Sequence, residues 1–198
     1  MGRLVLIRHG ESEGNRDRIF THTPEVPLTD AGHAQVRAAA EWVAARYRPV
    51  AVVSSPFLRA RQTAAILAER LALAVRVEEE LREQSFGELA GQPYAALRDS
   101  SDYDPARYWL WRPPGGGETL VEVAARAGAA LDRVAAGTPG SDVVVVSHGG
   151  VMAALWRHVT GEWGMGRVAR NAGLVIVEHE AGRYRGATAI EAVSGSGH

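Results

Sequence analysis

Two apolar runs stand out because each is short, unbroken and stopped by the same two residues. Leu4-Val5-Leu6-Ile7 ends at Arg8-His9-Gly10, and Val143-Val144-Val145-Val146 ends at Ser147-His148-Gly149. Such runs, bounded by turn residues and rich in branched side chains, read as strands buried on both faces. Other segments carry the helical period. From Thr29 as N-cap, Val36, Ala39, Ala40, Val43 and Tyr47 mark one helix face, with Pro49 as its stop. Ala51 to Val53 reads as a second strand. Ser55-Pro56 then has the form of an N-cap followed by proline at the first helical position, predicting a helix to about Leu71. Val75 to Val77 is a weaker strand. Thr119 with Glu122 is a capping-box pair, and Leu120, Val123, Ala127, Ala130 and Val134 form a helix face ending at Gly137. A further helix follows His148 to about Val159, stopped by Gly161. Leu174 to Val177 and Arg183 to Ile190 close the chain as strands joined across Ala181-Gly182.

Strands alternating with helices predict a three-layer αβα fold with a mostly parallel central sheet. Ligands of such sheets bind beyond the carboxyl ends of the strands, near a topological switch point. One region breaks the pattern. Between Gln84 and Gly117, glycines and prolines are interspersed with Tyr94, Tyr103, Tyr108, Trp109 and Trp111. Residues 84–117 are therefore read as an inserted cap with one short helix, within a single domain spanning 1–198. Residues 194–198 have the composition of a flexible tail.

Composition narrows the chemistry. Hydrophobic residues make up 46% and charged residues 23% of the chain, the balance of a globular protein. Cysteine is absent, which removes disulfides, thiolate metal sites and cysteine nucleophiles and fits a reducing compartment. No run approaches the length of a membrane span, Leu4–Ile7 is too short for a signal-peptide core, and Leu6 stands where a myristoylation motif needs Ser or Thr. The cytoplasm is the expected compartment. A net charge of −1 gives no reason to expect nucleic acid or an anionic membrane as partner. All 22 basic residues are arginine. That excludes lysine-dependent chemistry, so any phosphate must be held by guanidinium groups, backbone N–H groups or imidazoles.

The two strand-His-Gly endings put His9 and His148 at the same edge of the predicted sheet. Taken singly, a histidine at a strand end is more often structural; the repeated pattern weighs against that. Glycine after each, Gly10 and Gly149, lets the backbone turn and approach a ligand closely. Arg59 falls in the first turn of the helix after another strand and projects toward the same rim. Arg8 and Asn15 flank the first histidine. A phosphoryl group requires donors on its nonbridging oxygens, an in-line nucleophile and a proton for the leaving oxygen. Arg8, Arg59, His148 and Asn15 can form the clamp, with Gly149 a backbone contact. A neutral His9 imidazole can be the nucleophile, its pKa lowered from about 6.5 by neighbouring arginines.

These residues resemble the histidine phosphatase superfamily, also called phosphoglycerate mutase-like. Arg8-His9-Gly10-Glu11-Ser12 with Asn15 is similar to its signature, and Pro27-Leu28-Thr29 with Gly32 to its next segment. Ser54-Ser55-Pro56-Phe57-Leu58-Arg59-Ala60-Arg61-Gln62-Thr63-Ala64 resembles the block that supplies its second phosphate-binding arginine. Gly116-Gly117-Glu118-Thr119 and Ser147-His148-Gly149-Gly150 resemble its later blocks. The resemblance implies a phosphoglycerate mutase-like fold and a metal-independent phosphomonoesterase that uses no cofactor and acts on a small organic phosphate. It implies that His9 is phosphorylated and that Arg8, Arg59 and His148 form the phosphate pocket. It also nominates Glu83, in Leu81-Arg82-Glu83, as the general acid; composition alone does not separate it from Glu78, Glu79 and Glu80. Leu89-Ala90 and Thr21-His22-Thr23-Pro24-Glu25 depart from the family pattern where substrate contacts are expected.

Three rival readings share parts of this pattern. A cofactor-dependent phosphoglycerate mutase usually carries an adjacent arginine pair in a larger insert, whereas Arg98, Arg107 and Arg112 are all separated. A serine esterase is suggested by Gly10-Glu11-Ser12-Glu13-Gly14, but that elbow needs strands before it to supply an oxyanion hole. A noncatalytic phosphate-binding module would not need the full catalytic set. The spacing of the histidines at 9, 22, 33, 148, 158, 179 and 198 matches no metal motif. Neither oligomeric state nor the identity of the ester is written in the sequence.

Overall fold

The computed structural model describes residues 1–21, 23–163, 170–180 and 183–190. In chain order the elements are β1 (Gly2–Arg8), a short α1 (Glu13–Arg16), α2 (Asp30–Arg46), β2 (Pro49–Ser54), α3 (Leu58–Leu71) and β3 (Val75–Val77). Then follow α4 (Leu120–Gly137), β4 (Asp142–Ser147), α5 (Gly149–Thr160), β5 (Leu174–Glu180) and β6 (Arg183–Ile190). One sheet of order β3-β2-β4-β1-β5-β6 runs through them. β1, β2, β3 and β4 pair in parallel, whereas β5 joins β1 antiparallel and β6 joins β5 antiparallel. The predicted pairing of the last two strands is therefore present; its Ala181-Gly182 turn and the 194–198 tail lie outside the described residues.

The period of two along each strand sorts the core into two layers. Leu4, Leu6, Val143, Val145, Val175 and Val177 face α4 and α5. Val5, Ile7, Val144, Val146, Leu174 and Ile176 face α2 and α3. Every one of these residues is buried, which is why β1 and β4 read as continuous apolar runs rather than alternating ones. α2, which follows β1, and α5, which follows β4, thus cover opposite faces. The crevice between the carboxyl ends of β1 and β4 is a topological switch point, as the fold class predicts.

The helix ends follow local rules in two cases and break them in a third. Thr29 Oγ1 accepts from Gly32 N at 3.0 Å to cap α2, and Thr119 with Glu122 closes the capping box of α4. The Ser55-Pro56 expectation is corrected: α3 begins at Leu58, Phe57 is its cap residue, and no side chain caps it. The Ser55 hydroxyl is bonded instead to His148, the residue between β4 and α5. The insert is also corrected, since it holds three 3-10 turns (Gly87–Leu89, Tyr94–Asp99 and Pro105–Arg107) rather than one short helix. Tyr108 and Trp109 pack on the α4–α5 core, with Trp109 stacked on Trp163 at 5.7 Å.

The first turn of α2 rests directly on the loop after β1. A methyl group at Gly32 would fall inside the van der Waals envelope of the Glu11 carbonyl oxygen, and one at Gly10 would lie 2.6 Å from the Gly32 carbonyl oxygen. Gly32→Ala should therefore cost about 1–3 kcal/mol or more through overpacking, measured as a lower urea midpoint at constant m. Gly137→Ala, where a methyl meets nothing within 4 Å, should be neutral or stabilising by up to about 1 kcal/mol. Equal midpoints for Gly32→Ala and the parent would contradict this seating of α2.

Candidate active site

Register delivers the two histidines to one place. Arg8 pairs with Ser147 across β1 and β4, and Ser54 with Val146 across β2 and β4, so His9, Ser55 and His148 leave the sheet side by side. His9 N donates to Ser147 O at 2.9 Å, tying the two strand ends together. The imidazole rings meet edge to face with centroids 5.1 Å apart. A cavity of about 300 Å³ opens in front of them, lined among others by Arg8, His9, Asn15, Arg59, Glu83 and Gly149. His148 lies behind this wall, with 0% exposure. All seven site residues expected from the sequence are thus gathered at one strand edge.

The partners of His9 fix its tautomer. Nδ1 lies 2.7 Å from the Gly10 carbonyl oxygen, which can only accept, so Nδ1 carries the proton. Arg59 Nε, which can only donate, lies 3.2 Å from Nε2. Nε2 therefore presents a lone pair toward the guanidinium. Arg59 is only 2% exposed, its Nη1 has no protein partner, and its Cζ sits 5.2 Å above the Phe57 ring. His148 is fixed from the other side. Ser55 Oγ accepts from Phe57 N at 3.3 Å and lies 2.6 Å from His148 Nε2. Placing the hydroxyl proton in that bond leaves His148 Nδ1 as a donor, and Nδ1 is buried with no protein partner.

Glu83 enters from the segment after β3. Its Oε1 accepts from Gln84 N at 3.0 Å, and a methyl at Gly150 would stand 2.8 Å from that oxygen. The glycine that makes room is thus Gly150, since a methyl at Gly149 would meet only an ordinary 3.5 Å contact with Arg8. Arg126 of α4 holds the acid segment by its backbone, donating to Glu80 O at 2.7 Å, Arg82 O at 2.8 Å and Glu83 O at 3.2 Å. The same guanidinium pairs with both oxygens of Glu118, which in turn accepts from Ser85 N.

A sequence profile of the histidine phosphatase superfamily (branch 1) matches residues 4–189. The chain belongs to that superfamily. It is similar to the glucosyl-3-phosphoglycerate phosphatase of Mycobacterium tuberculosis, 38% identical over 166 residues that cover 77% of this chain and 73% of that protein. It is similar to the metal-independent phosphoserine phosphatase of Arabidopsis thaliana, 32% identical over 182 residues that cover 88% of this chain and 75% of that protein. A solved structure of the mycobacterial glucosyl-3-phosphoglycerate phosphatase with VO3 superposes with a TM-score of 0.81 at 30% identity, covering 93% of this chain and 97% of that one. Other mycobacterial relatives, 38% identical over 151 residues, are longer, and the chain spans 41% of their length.

The rest of the superfamily signature folds as scaffold. Ser12 is 1% exposed, caps α1 and donates its hydroxyl to Asn15 Oδ1, so it is not disposed as an esterase nucleophile. Asn15 Oδ1 also accepts from Asn171 Nδ2 at 2.8 Å, and Asn15 Nδ2 donates to Tyr94 Oη at 3.2 Å. Asn171, Tyr94, Ser55, Gly150 and Arg126 are site residues that sequence reasoning did not single out. Only Ser55 and Gly150 carried a signal, as members of the family blocks. Among the described residues, no group of three or more His, Asp and Glu side chains is placed to hold a metal.

Electrostatics complete the site. His9 is held well below the ordinary imidazole pKa first by burial, then by Arg59 and Arg8, against the opposing Gly10 bond. Burial likewise comes first for His148, followed by Arg59, His9, Arg8 and Arg126. The arginines expected to lower His9 act, but desolvation leads. Both rings stay neutral in the folded chain while their unfolded counterparts protonate below about pH 6.5. The stability they contribute is complete above about pH 6.5 and is lost as pH falls toward their folded values, at about 1.4 kcal/mol per pH unit for each proton. Urea titrations between about pH 6.5 and 5, above the carboxylate range, should give a slope that His9→Gln reduces by about one proton. An unchanged slope would mean that His9 is not buried neutral.

Proposed function

We propose that the chain is a phosphomonoester hydrolase working through a phosphohistidine at His9. The observation that carries the reading is the His9 imidazole itself: Nδ1–H tied to the Gly10 carbonyl, and the Nε2 lone pair turned to a buried arginine at the cavity wall. An arriving phosphate takes over the Arg59 donors, which frees Nε2 for in-line attack on phosphorus. The P–O bond to the alcohol breaks as the P–N bond forms, and Glu83 gives its proton to the departing oxygen. Water then attacks the phosphohistidine, Glu83 takes up the proton, and phosphate and neutral His9 are released. Arg8, Arg59, Asn15, His148 Nδ1–H and the Gly149 N–H at the start of α5 are assigned to the nonbridging oxygens, where a helix N-terminus favours an anion.

The substrate class proposed is a small organic phosphate, and the chain is read as one domain with residues 84–117 as its cap. No helix among the described residues is long and apolar enough to cross a membrane; the cysteine-free composition favours a reducing compartment such as the cytoplasm.

His9→Ala should lose essentially all turnover of p-nitrophenyl phosphate. Denatured, substrate-quenched parent should carry label that is stable in alkali and labile in acid, as a phosphoramidate is, and His9→Ala should carry none. Alkali-labile label would redirect the search to a hydroxyl or carboxylate nucleophile.

Glu83→Gln keeps size and most hydrogen bonding but delivers no proton. Alkyl phosphates expel a basic alkoxide and should lose about a hundredfold to ten-thousandfold, whereas p-nitrophenyl phosphate should lose far less. Equal losses on both esters would reduce Glu83 to a positioning group.

A further inference from the structure

A second chamber of about 410 Å³ adjoins the phosphate cavity and shares with it Arg8, Phe20, Phe86, Leu97, Gly149 and Gly150. Its remaining wall comes mainly from the insert: Gln84, Tyr103, Tyr108, Trp111 and Leu120. Its volume falls within the range of about 300–1,000 Å³ of sites that enclose an organic ligand. The aromatic groups are already set in edge and tilted pairs. Phe20 and Phe86 stand 4.7 Å apart at the junction of the two spaces, and Tyr103 meets Trp111 edge to face at 5.2 Å. Trp111 is held by its Nε1–H bond to Asp102 at 3.1 Å.

Charge is the discriminating feature. Among the described residues Arg8 is the one charged side chain lining this chamber, and it also lines the phosphate cavity. The insert's own arginines point their chemistry elsewhere. Arg112 is bonded to Gly117 O and Glu122, Arg107 lines a separate surface hollow, and Arg98 is exposed outside these walls. A second anionic group on the substrate would be desolvated here without a cation of its own among the described residues, which disfavours its entry. A ring would gain edge contacts with Tyr103 and Trp111 beyond the area it buries.

We infer that this chamber receives the alcohol portion of the ester and selects a ring-bearing, predominantly apolar group without a carboxylate or second phosphate. This rests on the phosphatase reading above and names the substrate class of that same site. It sets the chain apart from relatives whose names specify phosphoglycerate-type or phosphoserine substrates.

The test compares alkyl esters whose leaving groups are all alkoxides: 2-phenylethyl phosphate, ethyl phosphate and 3-phosphoglycerate. In kcat/KM, 2-phenylethyl phosphate should exceed ethyl phosphate at least about tenfold and 3-phosphoglycerate about a hundredfold, on the scale of a few kcal/mol for a filled apolar pocket. Trp111→Ala should bring the first ratio near one, and Trp111→Phe should keep most of it. Turnover of 3-phosphoglycerate equal to or above that of 2-phenylethyl phosphate overturns the inference. So does a Trp111→Ala loss that is the same on both uncharged esters. Calorimetric binding of 2-phenylethylphosphonate and methylphosphonate separates the two claims. A chain that hydrolyses none of the esters yet binds the phenylethyl compound about tenfold more tightly, with the preference lost in Trp111→Ala, upholds the chamber and sinks the phosphatase reading. Equal binding of the two phosphonates overturns the chamber.

Discussion

Burial of positive charge at the carboxyl ends of β1 and β4 is the constraint to which the rest of the site answers. Arg59 is almost fully enclosed, makes no ion pair among the described residues, and has one guanidinium nitrogen without a protein partner. A charge in that position costs several kcal/mol unless something compensates it. Its desolvation lowers the Arg59 pKa, opposed chiefly by the field of Glu83. The two histidines respond by staying neutral. One imidazole becomes an acceptor for Arg59 and the other is polarised by Ser55, so no further cation is added to the cluster. A phosphate dianion entering the cavity relieves a penalty that the fold already carries. Affinity for the anion and reactivity of the Nε2 lone pair thus have the same origin.

Holding such a cluster open requires a rigid frame, and backbone contacts supply it. His9 N is bonded to β4, Gly10 N to the buried Thr63 hydroxyl, and Thr63 in turn to Arg59 O. The His9 loop and the helix that carries Arg59 are therefore coupled through Thr63 within the protein itself. The close approach of Gly10 and Gly32 lets α2 press on the same loop. Gly10 is needed for helix packing, then, more than for access to a ligand, which changes the meaning of one of the two glycines that the strand-His-Gly pattern brought forward.

What was legible in the sequence depended on the range of the interaction. β1, β4, α2 and α4 follow from periodicity and caps, because burial on both faces and side-chain caps leave local marks. His9, His148, Arg8 and Arg59 could be nominated because strand ends and first helical turns have a known direction. The start of α3 departs from its local signal for a physical reason: Ser55-Pro56 has the form of an N-cap, yet the hydroxyl goes to a histidine 93 residues away. The grip of Arg126 on Glu80, Arg82 and Glu83 likewise joins segments more than 40 residues apart. Nothing near Glu83 announces it, so the role expected of it rests on family resemblance and not on its neighbourhood. The insert has no period to read, and its 3-10 turns are held by aromatic pairs and by backbone bonds of Gly91, Gln92 and Tyr94 to Arg18 and Phe20, contacts that leave no local mark.

The two halves of the site accordingly answer to different physics. The cavity at His9 and Arg59 is built on strand ends and helix starts, whose geometry is over-determined by the sheet, and there the sequence resembles the superfamily's blocks. The wall of the adjoining chamber is built from 3-10 turns and aromatic pairs outside the central sheet. Arg126 sits at the junction. Its guanidinium ties the segment that carries Glu83 to α4 and, through Glu118, to Ser85 at the start of the insert and to Arg82 just before it. Changes in the aromatic wall can then proceed without moving Glu83. A fold arranged in this way lets the organic part of the ester vary while the reacting atoms stay where the strand ends put them.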